Sequence, residues 1–385
     1  MKRKFLAVGM AFMICITVGA RSWADEAAPA EAKPDEAKPA AAPAGAPTLD
    51  DIKKLLGLSI YLQGGYTYNF EGSSVNNERI FDQKANTFLI DLAEIQFQKD
   101  PAVGGVGFKL KVSAGETAKY IHASGLGNTD QPFDLTEAYI SYVAPLGQGL
   151  RFDFGKFVTF VGAEVIEARD DPNYSRSFLF NYAEPLTHTG LKAGYTFSEK
   201  VNAAVYLVNG WDDFDDNNNG KTVGLSVGYT PIEQIALNFN FLYGPEIPND
   251  NADNRFLFDW VGTLKPVKDL TVILNTDYAT EQHSGPDGST GKWYGISGIA
   301  KYDFSKPFSL SLRAEYFNDQ DGLRTGTVQQ LSEITLTPEI RLAAGIILRP
   351  EYRHDWSTQP VFPDADNQPT KKSQDTIALG IMYTW

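Results

Sequence analysis

The chain has 385 residues, a formal net charge of −14, a pI near 4.8, 34 Gly, 24 Phe, 18 Tyr and a single Cys. So acidic a chain lacks the basic footprint that phosphate neutralisation demands, which excludes a nucleic-acid binder. Mean hydropathy is −0.26, and past the N-terminus no run approaches the ~18 apolar residues of a membrane helix; this excludes a helical membrane protein but not a barrel, whose alternating strands average to near-neutral hydropathy.

Lys2, Arg3 and Lys4 precede an apolar run from Phe5 to about Val18, and Ser22 and Ala24 then fit a small-x-small cleavage pattern. Residues 1–24 are therefore expected to be an export signal, with Ala20 as the second cleavage choice. Cys15 lies in the apolar run and leaves with it, so the exported chain is expected to hold no cysteine and no disulfide. Loss of Lys2, Arg3, Lys4 and Arg21, with no acid, takes the net charge from −14 to −18.

Residues 25–47 read DEAAPAEAKPDEAKPAAAPAGAP. Little in this stretch can be buried, and its prolines favour extended conformations. A periplasmic tether over 25–56 is expected, ending in a short helix at Leu49–Leu56. A contact with peptidoglycan or a partner is the other reading of the tether.

From Gly57 onward, segments of about 10–14 residues alternate with period two, the mark of strands with two unlike faces. At 308–316, Leu310, Leu312, Ala314 and Tyr316 oppose Ser309, Ser311, Arg313 and Glu315. Brief turns such as 146–149, 198–200 and 265–269 alternate with long polar loops such as 71–85, 119–132, 161–184 and 356–373. Short turns at one end and long loops at the other describe a transmembrane antiparallel β-barrel, here of about 16 strands over 57–385. Tyr66, Tyr68, Tyr195, Phe197, Tyr229, Tyr243, Tyr316, Tyr383 and Trp385 end the apolar faces and read as aromatic girdles. A large soluble β-sandwich or propeller would explain neither the girdles nor the loop alternation.

The polar faces then line a lumen wide enough for water. They supply Lys109, Lys111, Arg151, Lys192, Arg255, Lys301, Arg313, Arg349 and Arg353, against Glu94, Glu137, Asp153, Asp259, Asp277, Asp303, Glu315, Glu333 and Glu351. That is nine of each sign, so the wall alone fixes no ion preference, and the acidic surplus in loops and tether is expected to draw cations to the mouth. The long loop at 161–184 mixes Glu164, Glu167, Arg169, Asp170, Asp171 and Arg176 with Val165, Ile166, Phe178, Leu179, Phe180 and Tyr182. A solvated loop has no use for that apolar content. It is expected to fold into the lumen and constrict it, its apolar residues against the wall.

The run from Gly155 to Tyr195 carries GKFVT at 155–159, EVIE at 164–167, NYSRSFLF at 173–180 and PLTHTG at 185–190. It resembles the signature region of the OmpL-like putative β-barrel porin 2 family. NTFLIDLAEIQFQKDP at 86–101 and VGFKLKVSAGETA at 106–118 are similar to that family's opening strands. The likeness covers most of the chain after residue 57 and leaves out the tether. It implies a porin-like barrel of the bacterial outer membrane, little about substrate, and no catalytic residue.

Other chemistry is thin. His122, His188, His283 and His354 form no HExxH and no close pair, and no phosphate loop opens a helix. A Ser175–His188 hydrolase pair is conceivable, but His188 reads better as a hydrogen-bonded wall residue. The acidic loop 211–220, with Asp212, Asp213, Asp215, Asp216 and Asn217, lacks EF-hand spacing and reads as a solvated tip, with a weak divalent site bridging lipopolysaccharide phosphates as the alternative. No enzyme activity, cofactor or metal is therefore expected. The expected partners are outer-membrane lipid, lipopolysaccharide and small polar solutes, with a homotrimer as the candidate assembly and no nucleic acid. The expected function is passive diffusion of small polar solutes or ions through a water-filled bore narrowed by 161–184. A solute-specific sugar or anion channel and a non-conducting adhesin or anchor are the alternatives.

Overall fold

Alternation gives each strand one apolar and one polar face, and within a bilayer every backbone N–H and C=O must pair inside the protein. Closing an antiparallel sheet on itself meets both demands, because the apolar face meets lipid and no edge remains. A computed structural model describes residues 48–128, 130–342 and 345–385; the expected signal at 1–24 and the stretch 25–47 lie outside them.

A helix, α1 (Leu49–Leu56), comes first. Thr48 caps it through a reciprocal pairing with Asp51, and Gly57 ends it in the left-handed region at φ 56°. The strands follow as β1 (Leu58–Asn69), β2 (Phe88–Lys99), β3 (Val106–Ala114), β4 (Phe133–Ala144), β5 (Leu150–Val158), β6 (Thr187–Ser198), β7 (Val201–Val208), β8 (Thr222–Ile232) and β9 (Ile235–Pro245). Then come β10 (Asn254–Val267), β11 (Leu270–Glu281), β12 (Gly291–Ser305), β13 (Phe308–Asp319), β14 (Gln329–Arg341) and β15 (Ile346–Ser357). The short pair β16 (Phe362–Pro363) and β17 (Pro369–Lys371) forms its own hairpin, and β18 (Ser373–Thr384) completes the wall.

Sixteen of these strands close a barrel in which chain neighbours pair, β15 passes over the hairpin to β18, and β18 returns to β1. The closing seam sets Tyr61 opposite Thr384 and Asn69 opposite Thr376. The expected all-β barrel and its strand number are therefore what the chain forms. On β18, Ile377, Leu379 and Ile381 are exposed to the outside, whereas Ala378 and Met382 are buried inside. Lys53 of α1 lies over the Trp385 ring at 4.5 Å, where the last aromatic ends its strand.

The long connections lie at one end. The third of them, between β5 and β6, contains the charged and apolar segment 161–184. Its Phe178, Leu179 and Ala183 pack with Leu257, Trp293, Phe317 and Leu331 of the wall. Its Ile166, Tyr174 and Phe180 pack with Ile80 and Phe81 of the first long connection and with Tyr61 and Leu92. The molecule's buried apolar clusters are thus formed largely by loops that turn inward.

Candidate functional site: the barrel interior

A backbone segment placed inside a barrel loses water and needs other partners for its N–H and C=O groups. The wall supplies them as charges. On β13 and β15, Arg313 and Arg353 flank Thr335 of β14 in register, and Glu315, Glu333 and Asp355 form the next row toward the loops. Rows of opposite sign pair with one another: Arg313 Nε to Glu333 at 2.6 Å, Arg353 Nε to Asp355 at 2.6 Å, and Arg349 Nη2 to Glu339 at 2.5 Å. Each guanidinium then has donors left over, and they reach the loop. Arg349 donates to the Asn173 carbonyl at 2.9 Å, Arg313 to that of Ser175 at 2.7 Å, and Arg353 to that of Arg176 at 2.5 Å. Two wall acids accept from the loop's amides: Glu351 from Tyr174 at 2.7 Å and Ser175 at 3.0 Å, and Glu315 from Phe178 and Leu179 at 2.6 Å each. Such charge-assisted bonds are the stronger kind.

The same segment is tied elsewhere along the wall. Glu164 bonds Arg313 at 2.6 Å, and Glu167 pairs with Lys111 of β3. Tyr174 donates to Asp91 of β2 at 2.7 Å. Its ring sits on Gly65 and Gly380, which face each other across the closing seam. A Cβ on Gly65 would come within 2.1 Å of the Tyr174 hydroxyl, and one on Gly380 within 2.4 Å of the ring, so the seat exists only because both are glycine. Arg176 binds inside the loop itself, to Asp171 at 3.0 Å and to the Val165, Tyr174 and Ile166 carbonyls at 2.7–2.8 Å. Asp170 is the exposed member, paired with Arg169 at 3.1 Å.

The first connection also turns inward: Arg79 reaches Asp355 at 2.6 Å and Asp82 at 2.5 Å. From the seventh, Arg324 donates to the Tyr182 carbonyl at 2.6 Å and lies over Trp211 and Trp293 at 4.9 and 5.3 Å. The sequence reading placed both among polar outer loops. Its one missed signal was the Ile80–Phe81 pair within 71–85.

The wall from β3 to β8 is different. Two open spaces of about 460 and 280 Å³ lie there. The first is lined by Lys109, Lys111 and Glu137 against loop residues 158–170; the second by Tyr139, Asp153, Lys192 and Tyr206. In this sector Lys109, Arg151 and Lys192 stand partly into the opening, whereas Lys111 and Lys156 are buried. The side chains of Arg151 and Lys192 are each 35% exposed, and their shared partner Asp153 is 5% exposed. Lys109 likewise reaches from Glu137 at 2.5 Å, with the acid the more buried of the two. Phe160 stacks on Tyr206 at 3.8 Å and 10°, in a gap kept open by Gly224, whose Cβ would stand 2.8 Å from the Phe160 ring.

Every residue read as lumen-facing lies on a buried or half-buried position of the wall, but the group divides. Arg313, Arg349, Arg353, Glu315, Lys111, Glu94, Glu137 and Asp259 are buried. Lys109, Arg151, Lys192, Arg255 and Lys301 keep part of their side chains open, with Arg255 on Glu281 at 2.6 Å and Lys301 on Glu339 at 3.4 Å. His188 bonds Thr159 at 3.1 Å and the Gly210 carbonyl at 3.3 Å, while Ser175 Oγ is held by Arg313 at 3.1 Å; the two do not meet as a catalytic pair. In the acidic loop, Asp212 accepts from the Leu186 and Thr187 amides at 2.6 and 2.9 Å, and Asp216 pairs with Lys221. Among the described residues, the one carboxylate group with metal-ligand spacing is Glu184, Asp259 and Asp277.

No characterised protein matches the sequence. The fold is similar to several solved barrels at low identity. The outer membrane channel DcaP of Acinetobacter baumannii is 11% identical, with 85% of this chain and 96% of that chain covered and a TM-score of 0.59. The anion-selective porin from Comamonas acidovorans is 10% identical, with coverage of 85% and 98% and a TM-score of 0.59. OmpT of Vibrio cholerae, in a trimer form, is 13% identical, with coverage of 85% and 98% and a TM-score of 0.54. Residues 56–385 match the family described as "Putative beta-barrel porin-2, OmpL-like". The chain belongs to this OmpL-like β-barrel porin family, and its barrel is one of the bacterial outer membrane.

Proposed function

We propose that the barrel is a passive porin, and not an enzyme, for small polar solutes and ions, with segment 161–184 narrowing its bore and the passage running along β3–β8. The observation that carries this reading is the strapping of residues 173–179 to the β13–β15 wall by Arg313, Arg349, Arg353, Glu315 and Glu351. A loop held at both its carbonyls and its amides is a fixed obstruction, and solutes are then sorted by size beside it and by the charges that face the water. Arg151 and Lys192 face that water more than Asp153 does, which gives the bore a weak preference for anions despite the acidic chain. The residue 1–24 segment acts as export signal and 25–47 as a periplasmic tether, and the assembly is a homotrimer, the form in which the fold neighbour OmpT is described.

A second reading, a channel for one class of sugar-like solute, draws on the stacked Phe160 and Tyr206 beside Lys192 and Asp153. Ring faces with adjoining charge suit hydroxylated solutes. Liposome swelling with polar solutes of graded size tests both. Rates that fall smoothly with size support the porin; one sugar entering far faster than its size predicts supports the second reading; and no swelling by any solute contradicts both in favour of a non-conducting barrel.

A further inference from the structure

We propose that Glu184, Asp259 and Asp277 form an internal site for one hard divalent cation of the calcium class, which staples the end of segment 161–184 to the β10–β11 wall. Asp259 and Asp277 lie directly opposite each other on β10 and β11. Glu184 comes from the loop, just before β6. One oxygen from each of the three lies within 4.8 Å of the others. An ion with bonds of about 2.4 Å holds oxygens up to about 4.8 Å apart, and an all-oxygen anionic set suits calcium rather than a softer metal.

Proximity of acids alone would mean little. Here the partners are missing as well. Asp277 is 2% exposed and neither of its carboxylate oxygens has a hydrogen-bond partner outside the cluster; Glu184 is 3% exposed and its Oε2 has none outside it. Asp259 is served by the amides of Asn240 and Asn275 at 2.6 and 2.7 Å, both neutral. Among the described residues, no Lys or Arg forms an ion pair with any of the three. Elsewhere in this interior, buried acids such as Glu333, Glu164 and Asp355 each meet a guanidinium at 2.6 Å. Buried acids without a guanidinium, such as Glu315 and Glu351, instead accept two loop amides each; Asp277 has neither kind of partner, and buried charge without a counter-charge is disfavoured unless a metal or a proton supplies it. The backbone is shaped to the cluster too. Gly162 has φ 88°, and a Cβ there would stand 1.8 Å from Glu184 Oε2, so the carboxylate packs directly on the loop's main chain. The amide oxygen of Asn240, 2% exposed and unpartnered, is a further neutral oxygen beside Asp259.

The test uses the full protein purified from outer membranes in detergent, stripped with EDTA, re-equilibrated with calcium chloride and desalted. Calcium per chain is then measured in wild type, Glu184→Gln, Asp277→Asn and an Asp215→Asn/Asp216→Asn control. Wild type and control are expected to retain one calcium per chain more than Glu184→Gln and Asp277→Asn. Equal calcium in wild type and Glu184→Gln overturns the proposal, since any bound ion then belongs to the acidic loop or to lipopolysaccharide. A neutral, proton-sharing cluster gives that same equality and also overturns it. Heat-modifiable mobility reports folding; should Asp277→Asn not fold, Glu184→Gln, altered only in the loop, decides alone. A second readout is the thermal midpoint, which calcium is expected to raise in stripped wild type but not in Glu184→Gln. An equal rise in both contradicts the site.

Discussion

The inner wall of this barrel has two sectors built from the same residue types and put to different uses. From β13 to β15 Arg313, Arg349 and Arg353 are dry, and each is paired twice, once along the wall and once to the loop. From β3 to β8 the acids lie back and Lys109, Arg151 and Lys192 stand partly into the opening. What differs is what covers them. An arginine has five donors in a planar fork, so one pair to an acid leaves donors free. Under a loop those donors find backbone carbonyls; beside water they stay available to a passing solute. Composition alone therefore says little about an interior of this kind, because the same arginine is a strap or a selectivity group according to its cover.

Removing the cover is the largest change. Deletion of residues 165–180 is expected to raise single-channel conductance several-fold, and unchanged conductance would show that this segment does not limit the bore. Cutting one strap is the next largest effect. Arg313→Ala leaves Glu164 buried without its guanidinium and Glu333 with only Arg353 at 3.6 Å; breaking a buried pair in this way costs about 3–5 kcal/mol. A markedly lower thermal midpoint with noisier channel steps is expected, and a wild-type midpoint would argue that the loop is held by its apolar contacts. Filling the seat of Tyr174 is milder: Gly380→Val pushes a side chain into the ring's place, with overpacking worth about 1–3 kcal/mol. The wet sector answers to charge instead. Arg151→Glu with Lys192→Glu is expected to move the reversal potential toward cation preference, with a stability loss smaller than that of Arg313→Ala because Ser141 still serves Asp153. A stability loss without a shift in potential would place these groups with the straps.

The smallest effect is a pH dependence at the outer end. Burial pushes the Glu246 carboxyl up to about 7, against the pull of Arg255 and of the bonds from Thr222 and the Trp211 amide. A group whose folded value is raised gives stability that is complete below its unfolded value near 4.5 and is lost as pH rises through about 7. The thermal midpoint is therefore expected to fall slightly between pH 5 and 8, and Glu246→Gln to flatten that slope; an identical slope in the variant would assign the dependence to another group.

How much of this was legible in the sequence follows from the range of each signal. Strand faces and strand number were legible because alternation is a local pattern that each segment carries alone, as at 308–316. The special character of 161–184 was legible from Phe178–Phe180 set among charges, since solvated loops do not carry such runs. The inward turn of Arg79 was not, because its partner Asp355 is 276 residues away. The nine-to-nine balance of wall charge was countable, but which of them stay wet depends on cross-strand pairs and on a loop whose path is tertiary. The Phe160–Tyr206 stack and the Glu184, Asp259 and Asp277 group were hidden for the same reason: each joins residues that only the closed barrel brings together.

The central claim is that one sector is sealed and the other conducts. Single-channel recording of the purified protein under a salt gradient tests it most directly. The account predicts stable conductance steps with a weak anion preference set by Arg151 and Lys192. A folded barrel that gives no steps, or one that conducts with a clear cation preference, would contradict it.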